Sequence, residues 1–176
     1  AIGFALGLGV QRLQRHAGGL VWVQTPRDAV ENGRPYGWGL LPFGLDPARL
    51  VTVEPGTAAD ALWAAEESLK GEEDGRSSGV ALVILGLVAN PRVGASGGHM
   101  RHLDNAARRL ALAAARAGTP CLLLSPPAMQ GLGSAQTRWR VTRRPSPARP
   151  GDLSLPEFPG LACIRVGLER CRRMGL

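Results

Sequence analysis

The stretch that decides the fold is Gly79-Val80-Ala81-Leu82-Val83-Ile84-Leu85-Gly86-Leu87-Val88. It carries no charge, is too short to cross a membrane as a helix, and is rich in β-branched residues. A strand covered by helices on both faces has such a continuous apolar run, whereas a strand with one face in water alternates apolar and polar residues. The stretch therefore predicts a buried parallel strand in an α/β sheet.

Helix and strand signals alternate along the rest of the chain. Predicted helices lie at 4–16, at 58–69 behind a Thr57 cap and at 101–117, and a short helix is predicted within 35–41 of an otherwise loop-like 27–48. The predicted strands are 20–24, 50–53, 79–88, 121–124, 136–144 and 161–168. This order predicts an α/β fold with a mostly parallel central sheet and antiparallel strands added late.

The chain length sets the expected organisation. With 176 residues and 44% hydrophobic content, the chain can bury one sizeable core. We predict a core over residues 1–144, a proline-rich crossing over 145–160, and a final strand with a basic C-terminal tail over 161–176. The crossing is predicted because Pro145–Pro159 contains five of the 14 prolines.

Charge is distributed unevenly along the sequence. Residues 1–88 hold seven basic and ten acidic side chains, whereas residues 89–176 hold fourteen arginines and four acids. The cationic half is therefore the C-terminal one. Lys70 is the only lysine, so the sequence contains no phosphate loop of the GxxxxGK[ST] type.

Several classes of protein are not expected. No apolar stretch reaches 18 residues, and the N-terminus lacks the basic start and cleavage site of a signal peptide, so we expect a cytoplasmic protein without membrane contact. Cys121, Cys163 and Cys171 match neither a zinc site nor a redox pair, and the three histidines have no partner set. We expect plain thiols and no metal site.

Several segments, in their order and spacing, carry a resemblance over nearly the whole chain. They are Leu20-Val21-Trp22-Val23, Arg34-Pro35-Tyr36-Gly37-Trp38-Gly39-Leu40, Phe43-Gly44-Leu45-Asp46-Pro47-Ala48-Arg49-Leu50, Asp60-Ala61-Leu62-Trp63-Ala64-Ala65-Glu66-Glu67, Arg108-Arg109-Leu110-Ala111-Leu112-Ala113-Ala114, Thr137-Arg138-Trp139-Arg140-Val141 with Pro145-Ser146, and Leu168-Glu169-Arg170-Cys171-Arg172. Together they resemble the RecA-like three-layer fold and, within it, the ImuA family of damage-inducible mutagenesis proteins.

Against the RecA pattern, the acidic residues of an active ATPase are missing. Gln24-Thr25-Pro26 stands where these enzymes have an acidic residue after the first core strand, Leu85-Gly86 where they have the magnesium aspartate, and Ser125-Pro126 where the γ-phosphate sensor belongs. Phosphoryl transfer depends on positioned metal and charge. The resemblance therefore implies a protein that is not an enzyme and has neither catalytic residues nor a cofactor.

The resemblance also implies a function. ImuA-like proteins act in SOS-induced translesion synthesis beside ImuB, an inactive polymerase homologue, and an error-prone polymerase, so we expect a non-catalytic adaptor that contacts RecA and an ImuB-like partner. Two alternatives stay open. One is a SulA-like inhibitor of cell division, and the other is a basic module that binds single-stranded nucleic acid through the cationic half.

The predicted helix 101–117 supplies the candidate partner-binding residues. Leu103, Ala107, Leu110 and Ala114 share one face of this helix. The opposite face carries Arg101, Arg108, Arg109, Leu112 and Arg116. An apolar residue among arginines is typical of an interface, here with an acidic partner or a second RecA-like protomer, although a solvated helix face has the same pattern.

A second set of cations is the candidate nucleic-acid surface, with single-stranded DNA as the expected ligand. It comprises Arg138, Trp139, Arg140, Arg143, Arg144, Arg170, Arg172 and Arg173. The loops 89–100 and 126–136 correspond by resemblance to the DNA-binding loops of RecA-like proteins, but the second has no cation or aromatic residue. The strand is therefore the better candidate, although an alternating strand with arginine on its outer face needs no ligand.

Overall fold

The computed structural model describes residues 1–70, 79–87, 97–125, 133–145 and 163–172. These residues form two units, one made of residues 2–135 and the other of Ala1 with residues 136–176. The predicted crossing over 145–160 lies almost wholly outside the described residues, as do most of the loops 89–100 and 126–136 and the end of the predicted tail.

The first unit alternates helices and strands. Its elements in chain order are α1 (Ile2–Arg15), β1 (Gly19–Gln24), α2 (Pro26–Asn32), α3 (Gly37–Leu40), two 3₁₀ turns (Leu41–Phe43 and Pro47–Arg49), β2 (Leu50–Val53), α4 (Ala58–Leu69), β3 (Val80–Gly86), α5 (Gly97–Ala117) and β4 (Cys121–Leu124). The second unit contains β5 (Thr137–Arg144) and β6 (Cys163–Cys171).

The strands of the first unit form a parallel sheet in the order β2-β1-β3-β4. Val21 is the register partner of Val51 on one side and of Val83 on the other. Residues Ala81–Leu85 of β3 are all buried, as the continuous apolar run predicts. The α/β class and the parallel sheet are therefore confirmed.

Helices cover both faces of this sheet. Alternate strand residues point to opposite faces, so neighbours on β1 enter different cores. On one face, α4 and α5 pack against residues that include Val21, Val23, Val83 and Leu85. On the other, α1 and the segment around Leu40 pack against residues that include Leu20, Trp22, Leu82 and Ile84.

The helix α2 is absent from the sequence prediction, which treats residues 27–48 as loop-like. Thr25 caps this helix through its side chain, Pro26 occupies the first turn, and Asp28 completes a capping box. The prediction was wrong here because the helix is too short to show apolar periodicity. The Thr-Pro-x-Asp signal was available in the sequence.

Two arginines connect the end of α1 to the sheet through hydrogen bonds from their side chains to backbone carbonyls. Arg49 donates to the carbonyl of Leu13 at 3.0 Å and also to the carbonyls of His16 and Gly18. Arg12 donates to the carbonyl of Ala81 at 3.2 Å. A cation at a helix C-terminus satisfies the last carbonyls and interacts favourably with the helix dipole.

The second unit is an antiparallel pair with one irregularity. Arg138 pairs with Arg170 and Trp139 with Leu168, so Glu169 is an extra residue in β6. The strand continues to Cys171, which corrects the prediction that residues 169–171 belong to a terminal tail. The late antiparallel strands are confirmed, but among the described residues they form a separate two-stranded sheet and do not extend the central one.

Candidate functional site

The carboxyl ends of β1 and β3 form the first candidate site. Ligands of open parallel sheets bind beyond the carboxyl ends of the strands, at the point where the chain connections diverge. Here β1 leads to β2 on one side, and the chain then crosses to β3 on the other. The residues at this point are Gln24 and Thr25 after β1 and Gly86 and Leu87 at β3.

The side chain of Gln24 is hydrogen-bonded to neighbouring side chains. Its side chain is only 2% exposed, and its Oε1 accepts a hydrogen bond from Trp22 Nε1 at 2.8 Å. Its Nε2 lies 3.5 Å from Glu54 Oε1, and Arg34 holds the same carboxylate through two bonds of 2.6 and 3.1 Å. The hydrogen bond from Arg34 lowers the pKa of Glu54 below its ordinary value.

Asp28 is a buried carboxylate that the sequence interpretation missed. Its Oδ2 accepts from Thr25 Oγ1 at 2.7 Å and from Thr25 N at 3.2 Å, while its own N–H donates to Thr25 Oγ1 at 3.2 Å. A Cβ on Gly86 would lie 3.6 Å from Asp28 Cγ. The crevice thus contains an acid, but Oδ2 is occupied by the start of α2.

Within the described part of the chain, no group of three or more His, Cys, Asp or Glu side chains could hold a metal ion. A cavity of about 180 Å³ opens beside the crevice and is lined in part by Leu6, Trp22, Arg34 and Tyr36. Its walls are mostly apolar.

The tryptophans separate into buried and exposed classes. Trp22 is buried, whereas Trp38 is 74% exposed. Tyr36 and Phe43 are also exposed, so three aromatic residues within a short segment face solvent. Their types are visible in the sequence, but their exposure depends on how α3 and the following turn lie on the sheet.

The helix α5 places the predicted partner-binding residues as its periodicity indicates. Leu103, Ala107 and Leu110 are buried, and Leu112 is 59% exposed on the opposite side. Arg116 is also exposed. Arg101 lies within α5, but its side chain is outside the described part.

Two arginines of this face have partners in the protein. Arg108 pairs with Asp104 at 3.0 Å, one turn earlier in α5. Arg109 contacts Glu66 of α4 through Nε and Nη2, both at 3.0 Å. Arg109 therefore also links the two helices, a role that sequence spacing does not reveal. We call the set Arg108, Arg109, Leu112 and Arg116 the α5 surface.

The hairpin β5–β6 divides the second predicted set between two faces. The pairing register places five arginines together on one face, Arg138, Arg140, Arg144, Arg165 and Arg170. We call this set the arginine face. Trp139 and Arg143 lie on the opposite face, with Val141 and Leu168.

The remaining predicted cations lie at the end of the hairpin. The backbone N–H of Arg172 donates to the carbonyl of Gln136 at 2.9 Å, and Arg173 lies outside the described residues. The sequence interpretation missed Arg165, because the pairing of β6 with β5 is not visible in the sequence. Glu169 forms an ion pair with Arg140.

Two further findings concern membrane-spanning helices and similarity to known proteins. Among the described residues, none of the helices is long and apolar enough to cross a membrane. The chain matches no protein-family model and no curated protein.

Proposed function

We propose that this protein is a non-catalytic RecA-like adaptor in SOS-induced translesion synthesis, which acts by contacting RecA and an ImuB-like polymerase homologue. The observation that carries the proposal is that the polar side chains around the carboxyl ends of β1 and β3 are hydrogen-bonded to one another. Gln24, Asp28 and Glu54 are each engaged in hydrogen bonds within the protein. Under the RecA-like resemblance, Leu85-Gly86 stands where an active ATPase has its magnesium aspartate.

The architecture supports the RecA-like part of the proposal. A RecA-like core needs a parallel sheet covered by helices on both faces, and the four strands β2-β1-β3-β4 have this arrangement. The antiparallel pair β5–β6 follows this sheet in the chain.

The α5 surface supports a role in protein contact. Binding hot spots combine an apolar anchor with arginine, and interfaces exclude water around that anchor. Leu112 is an exposed leucine in the middle of three arginines on a helix whose other side is in the core. Two of these arginines, Arg108 and Arg109, are already held by Asp104 and Glu66, which lowers the side-chain entropy lost on binding.

Retention on RecA filaments tests the proposal. Single-stranded DNA is immobilised, either bare or coated with RecA from the same organism, and binding of the full chain is measured at about 50 and 200 mM salt. We expect retention on the coated strand at the higher salt and none on the bare strand at that salt. The same preparation is assayed for ATP hydrolysis.

Two outcomes would overturn the proposal. Equal retention on bare and coated DNA at both salts would remove RecA as the partner, and hydrolysis of ATP by the pure protein would remove the non-catalytic assignment. Arrest of cell division on overproduction, without retention on filaments, would favour the SulA-like alternative.

A further inference from the structure

We propose that the arginine face of the β5–β6 hairpin binds the phosphate backbone of nucleic acid. This inference concerns the second unit alone and does not depend on the filament contact assigned to α5. It goes beyond the sequence prediction because the strand pairing selects which cations act together and which do not.

The charge of the arginine face favours an anionic ligand. Among the described residues, this face has five arginines and one acid, Glu169, which pairs with Arg140. Arg138 and Arg170 lie directly opposite each other across the two strands. Such a surface favours a ligand with repeated negative charge.

The spacing of the arginines along the strand also matches that of phosphates in nucleic acid. Alternate residues on a strand are about 6.7 Å apart, so the row from Arg138 to Arg144 extends over roughly 20 Å. One strand of a duplex presents a phosphate about every 3.4 Å along its axis, so the row faces about six phosphates. A two-stranded ribbon also fits the major groove of duplex DNA. Single-stranded and duplex nucleic acid share this chemistry, and the experiment below separates them.

The opposite face of the hairpin argues against an anionic membrane as the ligand. A membrane-surface element needs an apolar face that it can insert into lipid. The apolar side chains Trp139, Ile164, Val166 and Leu168 are only 37–47% exposed, so the protein already covers more than half of each. Arg143 lies among them, opposite Ile164. Insertion of this face would take a cation into the lipid.

Fluorescence anisotropy of labelled DNA measures the interaction with the full chain. The ligands are a single strand and a duplex of equal length, titrated between about 50 and 200 mM salt. The face has a net charge of +4 once Glu169 is counted. Counterion release then gives a slope of log K against log salt of about −3 for the single strand and about −4 for the duplex. The affinity should therefore fall about 50- to 150-fold over this range.

Four variants assign the binding to the face. The double substitution Arg144→Gln/Arg165→Gln should make the slope shallower by about 1.4 to 1.8, and Glu169→Gln should make it steeper by about 0.7 to 0.9. The single substitution Arg144→Gln should make the slope shallower by about 0.7 to 0.9, and Arg143→Gln is its matched control, because it removes one charge from the same strand but on the opposite face. The slope of Arg143→Gln should stay within about 0.3 of the wild-type value. Circular dichroism verifies that each variant is folded.

The gain expected for Glu169→Gln keeps the proposal testable even if the double variant fails to fold. A change of slope in Arg143→Gln as large as that in a single Arg144→Gln variant would overturn the proposal, since binding would then reflect overall charge. The absence of DNA binding at about 50 mM salt, or binding to phosphatidylserine vesicles in its place, would also overturn it. The filament experiment at 200 mM salt is unaffected by either result.

Discussion

Replacement of Leu112 by alanine is the most direct test of the α5 surface. The side chain is 59% exposed, so a partner can bury about this fraction of it. Full burial of a leucine contributes about 1.5–3 kcal/mol, which gives roughly 1–2 kcal/mol for the exposed part. We therefore expect Leu112→Ala to weaken retention on RecA-coated single-stranded DNA by about 5- to 30-fold.

The neighbouring Leu110 is the matched control for this substitution. It is 5% exposed and packs in the core with residues of α4 and the sheet. Leu110→Ala should lower the free energy of unfolding by about 2–5 kcal/mol through loss of buried contacts and a residual cavity. Leu112→Ala should change it by no more than about 0.5 kcal/mol, as is usual for an exposed site.

Urea unfolding and filament retention at about 200 mM salt are measured on both variants and the wild type. We expect Leu110→Ala to lose stability and Leu112→Ala to lose filament binding. Filament affinity within twofold of wild type for Leu112→Ala would refute the role of this leucine as an anchor. A loss of stability equal to that of Leu110→Ala would refute the assigned orientation of the helix.

Three further predictions concern the first unit. Asp28→Ala should lower the free energy of unfolding by about 1–3 kcal/mol, because it leaves the buried Thr25 donors without their acceptor. The equivalent change at Asp60, the exposed acceptor of the Thr57 hydroxyl in α4, should cost about 0.5–1 kcal/mol, and equal urea midpoints would contradict this. The Glu54 carboxyl should titrate by NMR below its ordinary pKa, and Arg34→Gln should raise that pKa. The Arg34–Glu54 pair therefore stabilises the folded protein above the unfolded-state pKa of Glu54, and this stabilisation is lost as pH falls through the folded-state pKa. Burial raises the pKa of Cys121 to about 12, so alkylation at about pH 8, followed by mass spectrometry, should modify it later than the two hairpin cysteines.

Much of the first unit follows from apolar pattern alone. The strands 50–53 and 121–124 have their predicted bounds, since each is a short apolar run bounded by polar or turn residues. The helix α5 was also predicted, because its period is long enough to be unambiguous, although it begins at Gly97 and not at the predicted residue 101. Element type is set locally in such segments, and burial in the sheet then reinforces it.

The candidate sites could be predicted only in part, because they depend on pairing between distant residues. Glu66 and Arg109 are 43 positions apart, and nothing in either local sequence shows that they meet. Similarly, Arg143 and Arg144 are adjacent in the sequence but face opposite sides of the hairpin. The position of the extra residue Glu169 determines which cations of β6 join each face, and this register arises only when the strands pair.

The carbonyl bonds of Arg12 and Arg49 have a consequence for cooperativity. They join the end of α1 to the beginnings of β2 and β3, so these segments should open together and show one common free energy in native-state hydrogen exchange. Neither bond uses a carboxylate, and arginine stays charged throughout the accessible pH range. This part of the molecule should therefore keep its protection against exchange in acid below the lowered pKa of Glu54, where the Arg34–Glu54 ion pair is lost.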